Sequence, residues 1–138
     1  MDKKIVEFIQ EHYLLTLATS NNNSPYCCNV YYVYDKKQNT LIFSSEKTTK
    51  HVQDFLKNDN VAGAISKETK LVKDIKGVQI VGVISELVGS ELVNAKKMYI
   101  KAFPYSKNMS LNLWKMKICF IKMTNNQLGF GTKLFWRA

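Results

Sequence analysis

Polar side chains suited to holding an anion are concentrated in one short segment of the chain. In order they are Ser44, Ser45, Lys47, Thr49, Lys50 and His51. An apolar strand is predicted to end at the first of these residues, and a helix is predicted to begin near residue 49. Free N–H groups at a helix start point outward, and the helix dipole adds partial positive charge there. With hydroxyl and ammonium groups beside it, this helix start could bind a phosphate, although no Gly-x-x-x-x-Gly-Lys sequence makes it a P-loop.

The same segment allows a second interpretation that needs no ligand. Thr48 or Thr49 can act as an ordinary N-cap whose hydroxyl bonds the first helical turn, while the lysines are simply solvated. Residue types and spacing alone leave both interpretations open.

The hydrophobic pattern predicts a mainly β protein with helices between the strands. Helices are expected over 3–12, 49–57 and 91–103. Strands are expected over 13–20, 26–34, 40–45, 60–66, 71–88 and 112–123, with a last extended segment over 128–136. The 71–88 strand is expected to bend at Gly77 or Gly82. Because the first three strands form an antiparallel meander and no β-α-β series repeats, we predict a closed or partly closed antiparallel barrel with helices at its ends.

Composition limits the classes of protein to consider. At 138 residues with 46% hydrophobic content, the chain is expected to form one domain over 1–138 with its own core. No stretch of roughly 18 apolar residues exists to span a membrane, and the N-terminus lacks the apolar segment of a signal peptide, so a cytoplasmic location is expected.

Cysteine and histidine usage points away from metal and thiol chemistry. Cys27 and Cys28 are adjacent, so in a strand they face opposite sides and do not bridge easily. No Cys-x-x-Cys pair or Cys/His cluster forms a metal cage, and the thiols are interpreted as small apolar residues.

The formal net charge of +9 raises the possibility of nucleic-acid binding. The positive residues are scattered lysines, and Arg137 is the only arginine. Since arginine is the preferred residue for bidentate contacts to phosphate and guanine, this pattern argues against sequence-specific recognition. Weak nonspecific binding stays open, ranked behind the small-ligand hypotheses.

Two further segments carry a resemblance to a known family. The glycine-flanked sequence Gly-Val-Gln-Ile-Val-Gly covers residues 77–82, and Leu-Gly-Phe-Gly-Thr-Lys followed by Leu-Phe-Trp covers 128–136. With the preceding meander and hydroxyl/lysine strand end, the chain resembles the flavin-binding split-barrel superfamily typified by pyridoxamine 5′-phosphate oxidase. The closing segment is similar to a short bacterial branch often called YhbP-like. The resemblance implies an antiparallel Greek-key split β-barrel of the FMN-binding type.

The resemblance also implies a homodimer with flavin sites at the subunit interface. In flavin-binding members one strand lays its main chain along the isoalloxazine ring, which by position is Asn29, Val30 and Tyr31. The residues implied to hold the phosphate are Ser44, Ser45, Thr49 and Lys50, with Lys47 and His51 nearby. Gln79 lies near the region where a family glutamine meets the flavin. FMN is the expected cofactor, with a deazaflavin or haem as alternatives.

Two departures from the oxidases bear on the reaction. The ring-contacting strand has no arginine, and no arginine-x-histidine pair stands near the C-terminus, so oxidation of pyridoxamine phosphate is not expected. The leading hypothesis is a flavin-dependent oxidoreductase of unspecified substrate, in which the cofactor carries the redox chemistry. A non-catalytic flavin- or haem-binding module on the same barrel is the alternative.

Overall fold

Seven antiparallel strands form one sheet, and six of them close into a barrel. The computed structural model of the protein describes residues 1–138. The strands are β1 (Leu14–Asn21), β2 (Ser24–Asp35), β3 (Thr40–Ser44), β4 (Asn60–Ser66), β5 (Lys76–Glu86), β6 (Leu113–Asn125) and β7 (Lys133–Arg137). The helices are α1 (Lys3–Glu11), α2 (Lys50–Lys57) and α3 (Gly89–Ala102). The predicted helices and strands are all present, with some changed ends.

Strand order explains the split in the barrel. The order is β3-β2-β1-β4-β5-β6-β7, and an additional β3–β6 pairing closes the first six strands. The first part of β6 pairs with β3 and its later part pairs with β7, so the two strands share one side of β6 in succession. Because β4 returns beside β1 after the β1-β2-β3 meander, the connection is of the Greek-key type. The expected antiparallel split barrel is confirmed.

The barrel interior and two of the helices form the main core. Side chains alternate inward and outward along the strands, as in β4, where every second residue is buried. Helix α1 buries Phe8 and Ile9 in this core, and the Tyr32 hydroxyl donates to the Ile9 carbonyl at 2.7 Å. Helix α2 packs Phe55 edge-on against Phe43. Full burial of such side chains contributes roughly 1.5–3 kcal/mol each.

Helix α3 packs on the outside of the barrel. Its buried residues Ala95 and Tyr99 form a second, smaller core with Ile42 and Leu113 on β3 and β6. By contrast, no helix makes extensive contact with β4 or β5. This uncovered sheet face is important for the site described below.

Two predicted element boundaries need correction, and one predicted bend is present. The strand expected from residue 71 begins at Lys76, because Val72–Asp74 forms a short 3-10 helix. The last strand begins only at Lys133, since Gly129 and Gly131 have positive φ values of 121° and 74° and form a turn. The predicted bend at Gly82 is present as a register shift between Val81 and Gly82.

None of the helices is both long and apolar enough to pass through a membrane.

Candidate functional site

The hydrogen-bonded pairing of β2 ends before the segment that follows β3, which leaves a gap in the ladder between them. The register between these strands runs from Asp35 to Tyr32, opposite Phe43, and stops there, although β2 extends back to Ser24. Because Tyr32 N donates to Tyr13 O at 2.9 Å, the main-chain groups of Tyr32 face β1. Main-chain groups alternate sides along an antiparallel strand, so those of Asn29 face the other way, along an edge that β3 does not cover. Tyr31 marks the point where the ladder ends.

Val30 has a different position from its two neighbours. Its side chain is 5% exposed and belongs to the barrel core, and its main chain faces β1, opposite Leu15. Of the three residues predicted to lie along a flavin ring, only Asn29 and Tyr31 are therefore directed toward the gap.

Ser45 is fixed by three contacts at the border of the gap. Its N–H donates to Asn112 O at 3.0 Å and its carbonyl accepts from Trp114 Nε1 at 3.0 Å. Its hydroxyl lies 2.7 Å from His51 Nε2. Ser44, one residue earlier, pairs with Leu113 and makes no side-chain hydrogen bond within the chain. Both hydroxyls thus stand where the chain leaves the barrel for α2.

The start of α2 has no side-chain cap. Thr49 occupies the N-cap position, but its hydroxyl donates to Glu46 O at 2.7 Å instead of accepting from the first turn. The first helical hydrogen bond runs from Gln53 N to Thr49 O, so the N–H groups of residues 50–52 have no intrahelical acceptor. The ordinary-cap interpretation is therefore wrong for Thr49, and the helix start is available to an anion. Because the Thr49 hydroxyl donates its proton to Glu46 O, it has none left to donate to an anion.

Lys50 is held at this helix start by a buried carboxylate. Its Nζ donates to Asp54 Oδ1 and Oδ2 at 3.1 and 3.0 Å, and Asp54 also accepts from Thr19 Oγ1 at 2.9 Å. The hydrogen bond from Lys50 lowers the pKa of Asp54, against the effect of its burial. Lys50 Nζ also lies 4.9 Å from the centre of the Tyr26 ring. Because an ammonium has three N–H donors, one remains for a ligand.

His51 connects Ser45 to the helix. Burial lowers the pKa of His51, and the nearby Asp54 carboxylate opposes that shift, so the neutral imidazole is favoured. A neutral ring presents either a donor or an acceptor at Nε2. When Nε2 carries the proton it donates to the Ser45 hydroxyl oxygen, and the hydroxyl proton is then free to point toward an anion in the gap.

Two predicted residues lie elsewhere. Lys47 is in the exposed loop before α2 and lines a separate cavity with Glu86 and Lys96. Gln79 pairs with Lys122, which lies nine residues further along β6 than Leu113, the partner of Ser44. At roughly 3.3 Å per residue this is about 30 Å along the strand. One chain therefore does not bring Gln79 to the Ser45–Lys50 cluster.

Gln79 and Asn29 nevertheless occupy one row of the outer sheet face. Asn29 pairs with Thr16, Thr16 with Ala64, and Ala64 with Gln79, a distance of about 14 Å across three strand spacings. Thr16 Oγ1 donates to Asn29 Oδ1 at 2.8 Å. Large apolar side chains exposed on this face or at its edges are Leu14, Tyr31, Val81 and Phe135.

Sequence reasoning missed the residues that position the cluster. Asp54 could have been found from the i, i+4 spacing with Lys50, which favours an ion pair on a helix. Thr19, Tyr26 and Trp114 reach the cluster only through barrel closure, and no sequence signal marks them.

Two other chemistries, at a cysteine thiol and at a metal ion, lack the arrangement of side chains that they need. Burial, with the neighbouring Cys27 thiol adding to it, raises the pKa of Cys28 to about 11, so this thiol stays protonated at neutral pH. No three His, Cys, Asp or Glu side chains are grouped as a metal site requires.

Comparison with known proteins shows the family of this chain. The family model described as "Pyridoxamine 5'-phosphate oxidase" matches residues 1–113. The chain belongs to that family. A UPF0306 protein of Yersinia pestis bv. Antiqua (strain Angola) is 38% identical over 132 residues, covering 96% of this chain and 90% of the relative.

Solved structures agree on the fold. A heme binding protein from Mycobacterium smegmatis is similar with a TM-score of 0.80 at 15% identity, over 99% of this chain and 59% of that longer chain. A FAD-binding protein from Mesorhizobium loti is similar with a TM-score of 0.74 at 14% identity, over 89% of this chain and 94% of that one. The predicted relationship to pyridoxamine 5′-phosphate oxidase-like split barrels and to their short bacterial branch is confirmed.

Proposed function

We propose that the protein binds FMN in the gap between β2 and the start of α2 and acts as a flavin-dependent oxidoreductase. The observation that carries the proposal is the juxtaposition of an uncovered strand edge at Asn29 with an uncapped, positively polarised helix start beside Ser45. A planar ring with hydrogen-bond donors and acceptors along one edge suits the uncovered strand edge, and a phosphate suits the uncapped helix start. Membership of the oxidase family supports the same ligand class.

The residues present fit such a cofactor. The phosphate would accept from the first N–H groups of α2, from the free donor of Lys50 and from the Ser44 and Ser45 hydroxyls, with His51 behind Ser45. The main chain of Asn29 and Tyr31 would orient the ring edge. When bound, the flavin would supply the electron transfer, and the chain would orient it and stabilise its phosphate.

We also propose a homodimer formed through the outer sheet face. Val81 and Phe135 are 48% and 62% exposed there, and a second copy is the simplest way to bring Gln79 to a flavin in the gap. A stable dimer buries roughly 800 Å² per partner.

Light scattering tests the assembly directly. The parent protein should have twice the 15.9 kDa chain mass. Val81→Glu should release monomers, because it buries a charge in the interface. Val93→Glu changes an equally exposed valine on α3, 53% exposed, and should leave the dimer intact. A monomeric parent at micromolar concentration would contradict the proposed assembly.

The cofactor is tested by the absorption spectrum of the freshly purified protein, with mass spectrometry of whatever denaturation releases. We expect flavin absorption bands and release of FMN, and oxidation of a reduced nicotinamide would distinguish an oxidoreductase from a passive carrier. A colourless protein that fails to bind added FMN would refute the flavin proposal.

Haem is the second candidate, and one histidine favours it. His12 Nδ1 lies 2.8 Å from Phe8 O, and because a carbonyl only accepts, the neutral ring must carry its proton on Nδ1. Nε2 is then free with its lone pair, the arrangement found in metal-binding histidines. His12 also lines two cavities of about 360 and 280 Å³ together with Tyr13. Titration with hemin should give a Soret shift that His12→Ala abolishes and His51→Ala preserves, if haem is the ligand.

A further inference from the structure

A cavity of about 360 Å³ lies where the C-terminal ends of two helices meet. Gln10 and Glu11, the last residues of α1, line it from one side, and Ala102 and Phe103 at the end of α3 line it from another. The residues between α1 and β1 and the paired part of β2 complete its wall. No residue of α2, β4 or β5 lines it, so it is separate from the Ser45–Lys50 cluster and from the outer sheet face.

Both helix ends bring backbone carbonyl groups to this cavity. The last carbonyls of an α-helix have no intrahelical donor, and the helix dipole gives this end partial negative charge. The carbonyls of Gln10, Glu11 and Ala102 accept no hydrogen bond within the chain. The last turn of α1 has no basic side chain, and Lys101 in the last turn of α3 is exposed and does not line the cavity. Two partial negative charges therefore meet there.

The side chains that line the cavity add acceptors and aromatic rings. His12 Nδ1 donates to Phe8 O at 2.8 Å, which leaves the lone pair of Nε2 free in the neutral ring. Glu11 contributes an exposed carboxylate, and Tyr13 and Phe103 contribute aromatic rings. Because the face of an aromatic ring carries partial negative charge, such rings attract cations.

The absence of basic side chains distinguishes this cavity in a strongly basic protein. The chain has 20 lysine and arginine residues and a formal net charge of +9, yet none of these residues lines the cavity. The Glu11 carboxylate, the free carbonyls and the ring faces all carry full or partial negative charge. The cavity therefore favours a cation over a phosphate or a carboxylate.

We propose that this cavity binds a small organic molecule carrying a protonated amine. The ammonium group would donate to His12 Nε2 and to the free carbonyls at the two helix ends, beside the Glu11 carboxylate. The carbon frame would lie against the rings of Tyr13 and Phe103. The site does not depend on the proposed flavin site. It is an alternative to haem at His12, because both ligands would use the same Nε2.

Benzylamine is the probe, titrated into the isotope-labelled protein at constant ionic strength, with benzyl alcohol as its neutral counterpart. We expect saturable NMR shifts at the amides of Gln10, Glu11, His12 and Phe103 with benzylamine, and much weaker binding of benzyl alcohol. Glu11→Gln should weaken benzylamine binding roughly two- to fivefold, the effect of losing an exposed ion pair. Glu7→Gln removes the same charge from α1 outside the cavity and should leave the affinity unchanged.

Ring variants test the aromatic wall. Phe103→Leu should weaken benzylamine binding roughly two- to fivefold, the effect of losing a cation–π contact at an exposed site. Tyr13→Leu gives the same test should Phe103→Leu fail to fold. Tyr105→Leu changes a ring that is 63% exposed and does not line the cavity, and it should change the affinity little.

Several results would overturn the amine site. They are equal affinity for benzyl alcohol, an equal loss in Glu7→Gln, unchanged affinity in the ring variants, and shifts that never saturate. A Soret shift with hemin that His12→Ala abolishes would assign the cavity to haem instead. Added FMN should leave the benzylamine shifts in place, and their displacement would show that the two sites are not separate. Failure of the protein to bind FMN would leave the benzylamine result standing, so the two proposals are tested independently.

Discussion

Replacing Lys50 by methionine is the sharpest test of the phosphate site. The substitution keeps an unbranched apolar side chain and removes the ammonium, which lies 4.9 Å from the centre of the Tyr26 ring. A hydrogen bond from a charged group contributes roughly 1.5–3 kcal/mol. Lys50 is 52% exposed and shares its donors with Asp54, so we expect the lower end, about 1.5 kcal/mol, or roughly a tenfold rise in the Kd for FMN.

The assay compares two ligands and two lysines. FMN and riboflavin are titrated by quenching of flavin fluorescence against the parent, Lys50→Met and Lys57→Met. Because riboflavin lacks the phosphate, Lys50→Met should leave its affinity unchanged. Lys57 lies at the C-terminal end of α2, so Lys57→Met reproduces the change in net charge without touching the helix start.

The outcome that refutes the reasoning is equally specific. If Lys50→Met and Lys57→Met bind FMN alike, or if riboflavin loses as much affinity as FMN, the phosphate does not lie at the start of α2. Thermal unfolding of each variant shows whether a lost affinity reflects the site or the fold.

Three more predictions concern packing, pH and polyanions. Gly82→Ala should destabilise the protein by roughly 1–3 kcal/mol in denaturant titrations, because a Cβ there would lie 2.5 Å from the carbonyl oxygen of Lys117; stability equal to the parent would contradict the close approach. Since the folded-state pKa of His51 is lowered, its contribution to stability is present above its ordinary value and is lost as pH falls below about 6.5. His51→Asn should flatten this pH dependence and His12→Asn should not. Nucleic-acid binding should be sequence-independent and fall by orders of magnitude between about 50 and 200 mM salt, whereas FMN binding should change little; salt-resistant, sequence-dependent binding would reverse that ranking.

Strand and helix positions followed from local sequence patterns because burial alternates along a strand and repeats along a helix. The alternation in residues 60–66 predicts the buried Val61 and Ile65 of β4. One boundary failed where glycines intervened: Gly129 and Gly131 adopt positive φ values, and the predicted final strand became a turn before Lys133. Glycine marks such sites but does not fix the turn, since it accepts many conformations.

The site could be predicted in its chemistry but only partly in its geometry. The segment from Ser44 to His51 was identified because strand end, hydroxyls and helix start are adjacent in sequence. Its relation to Asn29 follows from where the β2–β3 register ends. The separation of Gln79 from the Ser45–Lys50 cluster follows from the length of β6 between their pairing partners. Those facts depend on pairings between strands distant in the chain.

By itself, the sequence determined the elements, the concentration of hydroxyl and ammonium side chains before α2 and, through its resemblance, the split barrel. Tertiary structure decided which donors are free. The Thr49 hydroxyl is used by Glu46 O, Lys50 is shared with Asp54, and Ser45 is held by Trp114, 69 residues away. Residue type specifies what a side chain can donate or accept, but whether that capacity is already satisfied depends on the folded geometry. Glu46 and Asp54 are partners from the same local segment, whereas Trp114 comes within hydrogen-bond distance of Ser45 only through barrel closure.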